Sequence, residues 1–350
     1  MLYNQGMFKN VFGGGAGKQI DFLAIGDIVT EPFIRLQDAS VHCRINNEDC
    51  EICMRWGDKI PYESATVLSA VGNASNAAVA AARLGLNSAL RAYVGEDQYG
   101  KDCLAVLIAE KVDTSLMVTE KGKKTNYHYV LWYEDNRTIL VKHEEFDYTT
   151  PKVEASPKWV YLSSLASNSA PYHLEIAQWL ASHPTSKLAF QPGTFQMKLG
   201  LETLKEIYAR TEIFFCNKEE AERILSLPVG SDVKELLKKL QALGPHIIVM
   251  TDDVRGAYAL EADGTTMWHV PRYPDPRKPY EITGAGDALA SSTVAALALG
   301  LPLHEALLWG PTNSSSVLQK IGAQAGLLTR AELEEQIKNP PAPFALAPLV

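Results

Sequence analysis

The segment from Glu281 to Asp287 combines residue types that can hold and use a phosphoryl group. Gly284, Ala285 and Gly286 have no bulk, so their backbone N–H groups can converge on one anion. A helix that begins at Asp287 would add the positive end of its dipole at the same place. The Asp287 carboxylate could then accept a hydroxyl proton while the anion is held, which is the chemistry of phosphoryl transfer to an alcohol. An N-cap Asp after a glycine turn is the simpler alternative.

A second polar motif, Gly72-Asn73-Ala-Ser-Asn76, opens an Ala-rich helix predicted over residues 74–84. The side-chain amides of Asn73 and Asn76 belong to one helical entry and are suited to hydrogen bonds with sugar hydroxyls. The alternative is that Asn73 only caps the helix. We interpret the motif as part of a binding site for the acceptor alcohol.

A third motif, Asn217-Lys-Glu-Glu220, follows a strand predicted over residues 213–216. It lies at the carboxyl end of that strand, where α/β sheets bind their ligands. Asn217 and Glu220 are three residues apart and face the same side of a helix. They are suited to a hydrated magnesium ion, held by Glu220 through water. A helix N-cap with acidic residues in the first turn is the alternative.

The elements that would position these motifs alternate regularly in the second half of the chain. Strands predicted at 159–163, 187–190 and 213–216 are separated by predicted helices. Such alternation with short connections is typical of a parallel sheet covered by helices on both faces, so we predict an α/β fold. Two strand-rich segments, about 33–70 and 125–145, interrupt this rhythm and are interpreted as a small β-rich lid.

The ends of the chain and its composition exclude several classes of protein. Residues 1–19 are predicted to be a flexible arm without the pattern of a signal peptide, and residues 336–350 a Pro-rich tail that is a surface strap or disordered. The net charge of −8 argues against nucleic acids and anionic membranes as partners. No segment approaches the roughly 20 apolar residues of a membrane span. Five cysteines favour reduced thiols and a cytoplasmic location over a disulfide framework.

The order of the motifs resembles that of the ribokinase family of carbohydrate kinases, also called the PfkB family, over about residues 20–335. Thr283–Asp287 resembles the family's C-terminal signature, and Gly72–Asn76 its N-terminal Gly-Gly-Asn signature. Asn217–Glu220 is similar to the Asn-x-x-Glu motif. The resemblance implies a ribokinase-like three-layer sandwich with a mainly parallel central sheet, formed by residues 20–335 as one kinase domain with the lid attached.

The resemblance also implies a role for each motif. Asp287 is expected to be the catalytic base, and the amides of Gly284, Ala285 and Gly286 the anion hole. The other expected roles are binding of the acceptor by Gly72, Asn73 and Asn76, organisation of magnesium and phosphate by Asn217 and Glu220, and binding of the nucleotide by Thr251, Gly256 and Asn313.

The family also implies a potassium ion beside the anion hole. Glu281, Thr283 and the turn at residues 322–324 match the region where the family binds it.

The chain departs from the family pattern at several positions. Val71 stands where the family has the first glycine of Gly-Gly-Asn, and Asp253 replaces a glycine of the nucleotide loop. Gln191-Pro-Gly193 stands where sugar kinases often have Asp-Pro-Asn. Asp27 and Glu31 are both candidates for the carboxylate that binds the acceptor after the first strand. These departures leave the acceptor and the phosphoryl donor open.

Four residues of the first lid segment are candidate ligands for a zinc ion. Cys50 and Cys53 have the two-residue gap of a zinc knuckle, and His42 or Cys43 would complete the ligands. Free cysteines or a redox pair are the alternatives. In the second lid segment, alternation places His128 on one face, where it would line the acceptor pocket or pack a lid dimer.

The sequence thus predicts a kinase that transfers the terminal phosphate of ATP to a hydroxyl of a sugar, with magnesium and potassium as ions. A nucleoside kinase of the same fold shares every motif. A different phosphoryl donor, prompted by Asp253, is a further alternative, as is a non-catalytic binding or regulatory protein. The sequence does not give the oligomeric state, although an exposed β lid could pair with a second copy to form a homodimer.

Overall fold

The computed structural model describes residues 19–43, 50–134 and 136–349, so the predicted arm at residues 1–19 lies outside the described residues except for Gln19. The strands in these ranges are β1 Phe22–Ile25, β2 Val29–Leu36, β3 Ser40–His42, β4 Glu51–Cys53, β5 Tyr62–Val71, β6 Ser88–Arg91, β7 Tyr93–Gly95, β8 Val118–Glu120, β9 Asn126–Tyr127, β10 Tyr129–Tyr133, β11 Asn136–Leu140, β12 Trp159–Leu162, β13 Lys187–Phe190, β14 Thr211–Asn217, β15 Ile247–Thr251, β16 Ala257–Leu260, β17 Met267–Val270 and β18 Ala347–Pro348. The helices are α1 Asn73–Arg83, α2 Gln98–Ala109, α3 Ala170–Ser182, α4 Thr194–Leu199, α5 Leu201–Arg210, α6 Lys218–Ile224, α7 Val233–Gln241, α8 Ala285–Ala298, α9 Leu303–Val317 and α10 Arg330–Lys338.

The central sheet is mostly parallel, as the alternation of strands and helices predicts. Within the described residues its nine strands run in the order β18-β17-β16-β15-β14-β13-β12-β1-β6. The pairs from β6 to β15 are parallel, and β16, β17 and β18 add an antiparallel edge. The carboxyl ends of the parallel strands therefore share one edge of the sheet, where the loops that carry polar motifs meet.

Helices cover both faces of this sheet, which gives the three-layer sandwich. Successive residues of β1 alternate between two hydrophobic cores because side chains of a strand point to opposite faces. Phe22 and Ala24 join one core, with buried residues of α1, α8 and α9. Leu23 and Ile25 join the other, with buried residues of α3, α5 and α7. The predicted three-layer sandwich with a mainly parallel central sheet is confirmed.

A second, small sheet is built from both segments that the sequence interpreted as a lid. In the described residues it has five strands, in the order β11-β10-β2-β5 with β9 also paired to β2. It begins at Val29, earlier than predicted, because β2 runs on directly from the turn after β1. A separate hairpin of β3 and β4 lies within the same part of the chain.

Two details of the C-terminal third differ from the sequence prediction. The predicted helices 303–310 and 312–320 are one helix, α9, which passes through Pro311. It packs tightly against α8 beside this proline, since a side chain on Gly310 would meet Thr293 and the carbonyl oxygen of Leu289. The tail is a strap, since β18 pairs with β17, and α10 extends to Lys338, past the predicted boundary.

The cysteines of the β3–β4 hairpin correct two sequence predictions. Cys43 and Cys50 form a disulfide, so these two sulfurs are not available as zinc thiolates, and the thiols of this segment are not all reduced. Nε2 of His42 lies at hydrogen-bond distance, 3.1 Å, from Oγ of Ser40, and Cys53 keeps a free thiol. No group of three or more potential metal ligands occurs among the described residues. The predicted zinc site is therefore wrong.

Among the helices of the described residues, none has both the length and the apolar character that crossing a membrane requires.

Candidate active site

Asp287 occupies the first turn of α8 and does not cap it. The helix begins at Ala285, two residues before the predicted start, with Gly284 as its N-cap at φ 81°. A side chain on Gly284 would collide with Ala323, so both the backbone angle and the space require glycine here. The Asp287 carboxylate is hydrogen-bonded to residues of other elements instead. The simpler alternative, an N-cap Asp, is wrong.

Three side-chain amides hold the Asp287 carboxylate. Oδ1 accepts from Nδ2 of Asn73 at 2.7 Å and from Nε2 of Gln191 at 3.2 Å, and Oδ2 accepts from Nδ2 of Asn76 at 2.8 Å. Burial raises the pKa of Asp287 above its ordinary value of 3.8, the three amides lower it, and the charge of Glu31 raises it further. The result is a fixed, buried carboxylate with a raised proton affinity, which is what a general base requires.

Gln191 is a partner of the Asp287 carboxylate, although its segment stood out in the sequence only as a departure from a family pattern. It follows β13, and its Oε1 accepts a hydrogen bond from the hydroxyl of Tyr161 on β12. That contact leaves the Nε2 amide free to face Asp287. The signal in the sequence was the position of Gln191 at the carboxyl end of a strand.

The start of α8 offers unpaired backbone donors beside this carboxylate. The N–H groups of the first turn of a helix have no partner within the helix, and they point along the positive end of its dipole. In α8 these belong to Ala285, Gly286 and Asp287. A side chain on Gly286 would meet only Nε2 of Gln191, at 3.9 Å, so the space above this glycine is open to a ligand.

A cavity of about 300 Å³ adjoins the start of α8. It brings together residues that the sequence assigned to two motifs: Thr251 and Gly256 from the predicted nucleotide loop, and Ala285 and Gly286 from the predicted anion hole. Gly256 has φ 88°, and a side chain there would collide with the carbonyl oxygen of Val270. The walls of the cavity also include apolar residues from β17 and α9, which suits the flat face of a nucleobase.

Two residues expected near the nucleotide are placed differently. Asp253 lines the cavity and adopts φ 45°, a left-handed conformation that favours glycine, so the replacement is accommodated with backbone strain. Asn313 is fully buried: its Nδ2 donates to Oγ of Ser292 at 2.7 Å and its Oδ1 accepts from the Leu328 N–H at 2.9 Å. Asn313 therefore joins α9 to α8 and is not among the residues that line the cavity, so its contact with a nucleotide stays a prediction.

Asn217 and Glu220 form a reciprocal cap at the start of α6. Oδ1 of Asn217 accepts from the Glu220 N–H at 2.8 Å, and Oε2 of Glu220 accepts from the Asn217 N–H at 2.9 Å. The capping alternative is thus correct for Asn217, whose acceptor oxygen is used. Burial raises the pKa of Glu220, and the charge of Asp287 adds to that rise, so the two carboxylates are electrostatic neighbours. A cation held near both carboxylates would offset the repulsion between their charges.

Glu281 ties together the two segments expected beside the anion hole. Its Oε1 accepts from the N–H of Thr283 at 2.7 Å and from the Thr283 hydroxyl at 2.5 Å. Its Oε2 accepts from the Gly322 N–H at 3.2 Å, and Nε of Arg137 on β11 lies 3.8 Å from Oε1. The small sheet therefore reaches the loop that precedes α8.

On the other side of Asp287, the acceptor residues named from the sequence lie together. Gly72 has φ 109°, and a side chain on it would crowd the carbonyl oxygen of Asp27. Asp27 and Glu31 are both buried. Each faces a histidine: Nδ1 of His143 lies 2.8 Å from Oδ2 of Asp27, and Nδ1 of His128 lies 3.3 Å from Oε1 of Glu31.

Comparison with known proteins identifies the arrangement. The model of the pfkB family of carbohydrate kinases matches residues 41–330. The chain belongs to this family. It is 28% identical over 295 residues to a ribokinase of Bacillus subtilis, a match that covers 79% of this chain and 93% of the relative. As pfkB-family members are phosphotransferases that act on hydroxyl groups, this chain is a phosphotransferase of that type.

Solved structures show the same fold at low sequence identity. A ribokinase of Arabidopsis thaliana, in complex with ribose and ATP, superposes with a TM-score of 0.73 at 16% identity, covering 92% of this chain and 99% of that one. A nucleoside kinase of Methanocaldococcus jannaschii gives 0.72 at 19% identity, with the same coverage. The pfkB family therefore accounts for the fold and the reaction class, whereas the acceptor has to be argued from this chain's own residues.

Proposed function

We propose that this pfkB-family member transfers the terminal phosphate of ATP to a hydroxyl group of a sugar. One observation carries the proposal: Asp287 lies between the cavity that contains Ala285 and Gly286 and the polar residues Asn73 and Asn76. A base in that position can reach an acceptor on one side while a phosphoryl group occupies the start of α8 on the other.

In the proposed reaction, Asp287 accepts the proton of the attacking hydroxyl group. Asn73, Asn76 and Gln191 fix the carboxylate, so it loses little freedom when the acceptor arrives. The first-turn N–H groups of α8 stabilise charge on the phosphoryl oxygens. The open space at Gly286 lets the phosphoryl group approach these donors.

Magnesium would lie near Glu220, which is suited to hold it through water. The cation would neutralise charge on the phosphates. The potassium site implied by the family would lie near the loop that Glu281 ties to Gly322. Thr251 and Gly256 would contact the nucleotide in the cavity.

The acceptor panel tests the proposal most broadly. Purified protein with ATP and magnesium is offered ribose, fructose, adenosine and cytidine, and release of ADP is followed with a coupled assay. Turnover with a sugar supports the proposal. Turnover only with adenosine or cytidine assigns the chain to the nucleoside kinases, the class to which the Methanocaldococcus structure belongs.

Two further outcomes address the remaining alternatives. Replacing ATP by ADP or GTP in the same assay tests whether the carboxylate of Asp253, whose strained backbone borders the cavity, changes the choice of phosphoryl donor. A nucleotide-dependent rise in melting temperature without turnover on any acceptor would mark a non-catalytic binding or regulatory protein.

We propose that the chain forms a homodimer through the small sheet, which acts as a lid. Its strands carry exposed apolar side chains, among them Val67 on β5 and Leu140 on β11, exposed by 56% and 53%. Sheet edges and faces of this kind favour pairing with a second copy. Light scattering after size-exclusion chromatography measures the assembly, and a strictly monomeric mass at assay concentration would refute the dimer.

A further inference from the structure

Two histidines lie next to the two buried carboxylates that are candidates for binding the acceptor. His128 is next to Glu31, and His143 is next to Asp27. The two imidazole rings are neighbours, with centroids 4.9 Å apart, and Phe195 packs edge-on against His143 at 5.3 Å. The four polar groups thus form one cluster, built from the segment after β1 and from the segments that flank β10 and β11.

Chain topology explains how this cluster forms. β9 runs parallel to β2, with Val29 opposite Asn126 and Thr30 opposite Tyr127. The His128 N–H then bonds to the Thr30 carbonyl oxygen at 3.1 Å, which brings the His128 ring to Glu31.

The cluster keeps hydrogen-bonding capacity that the protein itself does not use. Among the described residues, the buried polar atoms without a hydrogen-bond partner include Nε2 of His128, Nδ1 of His143 and Oδ2 of Asp27. The last two lie 2.8 Å apart but are not aligned as a hydrogen bond. Asp27 is 6% and His128 8% exposed, and the His143 side chain 9%. Buried polar atoms are normally paired, so three such atoms in one cluster point to a ligand that pairs them.

The cluster also adjoins the base. Glu31 is close enough to Asp287 for its charge to act on that carboxylate. The carbonyl oxygen of Asp27 is packed against Gly72, which precedes Asn73. A molecule whose hydroxyl group reaches Asp287 between Asn73 and Asn76 would therefore extend its remaining polar groups towards the cluster.

Resting on the proposed function, we propose that His128 and His143 bind the acceptor directly and select a neutral, polyhydroxylated molecule. Nδ1 of His128 faces the Glu31 carboxylate, and the unpartnered Nε2 on the other side of the ring binds an acceptor hydroxyl. Nδ1 of His143 and Oδ2 of Asp27 bind another hydroxyl, which donates to the carboxylate and accepts from the ring.

The charges of the site set the class of acceptor. Asp27, Glu31 and Asp287 are carboxylates on this side. The guanidinium of Arg137, whose Nε is buried without a hydrogen-bond partner, lies 3.8 Å from the carboxylate of Glu281, which offsets its charge. An acceptor with its own carboxylate or phosphate would be placed beside three like charges in a buried site, which disfavours binding. Hydroxyl groups, in contrast, donate to these oxygens without charge repulsion.

Substitution of each histidine by Asn and by Gln distinguishes the role of Nδ1 from that of Nε2. The amide of Gln places a polar atom where Nε2 of His stands, and the amide of Asn places one where Nδ1 stands. We expect His128→Asn to raise the acceptor KM about tenfold or more, and His128→Gln to raise it less. The order reverses at His143, where His143→Gln is the damaging change and His143→Asn the milder one. His304→Asn, on the exposed start of α9, is the control.

The measurements are the KM for acceptor and for ATP, with the melting temperature as a check on folding. The proposal predicts changes in the acceptor KM, an unchanged ATP KM, and higher kcat/KM for ribose and glucose than for ribonate and gluconate. An acceptor KM within about twofold of wild type in all four variants, equal losses for Asn and Gln at each site, or a preference for the acids would overturn it. If the wild-type protein phosphorylates no panel member, the proposed function fails before the histidines are tested.

Discussion

Oδ2 of Asp287 accepts a hydrogen bond of 2.8 Å from Nδ2 of Asn76, which is 211 residues away in the sequence. The bond joins the first turn of α8 to α1, so the proposed base and the proposed acceptor site share one side chain. Oδ1 of Asn76 in turn accepts from Nε2 of Gln324 at 3.0 Å, which fixes which end of the amide faces Asp287. The Asp287 carboxylate is therefore held by an oriented donor.

We expect Asn76→Asp to lower kcat and move the pH dependence of kcat to higher pH. A carboxylate in place of the amide removes a donor from Asp287 and puts a like charge beside it, so the base holds its proton more tightly. The pH profile of kcat measures the shift. Asn87→Asp, in the loop before β6, is the matched control, and a shift of the same size in that variant would contradict the account.

The pH dependence of the wild-type enzyme follows from the same carboxylate. Burial raises the pKa of Asp287 above 3.8, and only the ionised form can accept a proton, so kcat should fall as the pH falls through this raised value. The charge of Glu31 contributes to the rise, so Glu31→Gln should move the acid limb to lower pH. If the fall of kcat at acid pH is not shifted by that substitution at saturating acceptor, the charge of Glu31 does not raise the pKa of Asp287.

Two neighbouring glycines should respond to alanine in opposite ways. Gly284→Ala places a side chain at φ 81° and against Ala323, so we expect a loss of about 2–3 kcal/mol in the free energy of unfolding. Gly286→Ala meets no protein atom nearer than 3.9 Å, so the fold should tolerate it while kcat/KM for ATP falls. Chemical denaturation and steady-state kinetics measure the two effects. Full activity of Gly286→Ala would show that no phosphoryl group uses that space.

His173 gives a pH dependence of stability that is independent of the active site. It is fully buried on α3, and burial lowers its pKa to about 4 from an ordinary 6.5. Between these two pH values the unfolded chain binds a proton at His173, whereas the folded chain does not. This contribution to stability is fully present above pH 6.5 and is lost as the pH falls towards 4, by about 3 kcal/mol. In His173→Gln this part of the slope should vanish. An identical slope in both proteins would contradict the assignment.

The sequence predicted the features that depend on short stretches of chain. The alternation of strands and helices gave the parallel sheet, and the segment from Thr283 to Asp287 gave a glycine turn before a helix. Both depend on periodicity and on backbone freedom at Gly284, which are local properties. Thr251 and Gly256, which line the cavity beside α8, were expected at a nucleotide only from the resemblance to the pfkB family.

Partners that meet through tertiary packing could not be predicted from their own segments. His128 reaches Glu31 because β9 lies beside β2, and Gln191 reaches Asp287 from the end of β13. Cys43 stands opposite Cys50 because His42 pairs with Glu51 in the β3–β4 hairpin, a register that the spacing of the cysteines alone did not reveal.

The central claim is that Asp287 takes the proton from the acceptor hydroxyl. The direct measurement is the kcat of Asp287→Asn with ATP and the acceptor found in the panel, alongside its melting temperature. Asn is similar in size but cannot accept the proton, so we expect kcat to fall by about 10²- to 10⁴-fold while the protein remains folded. A folded Asp287→Asn enzyme with kcat close to that of the wild type would contradict the claim.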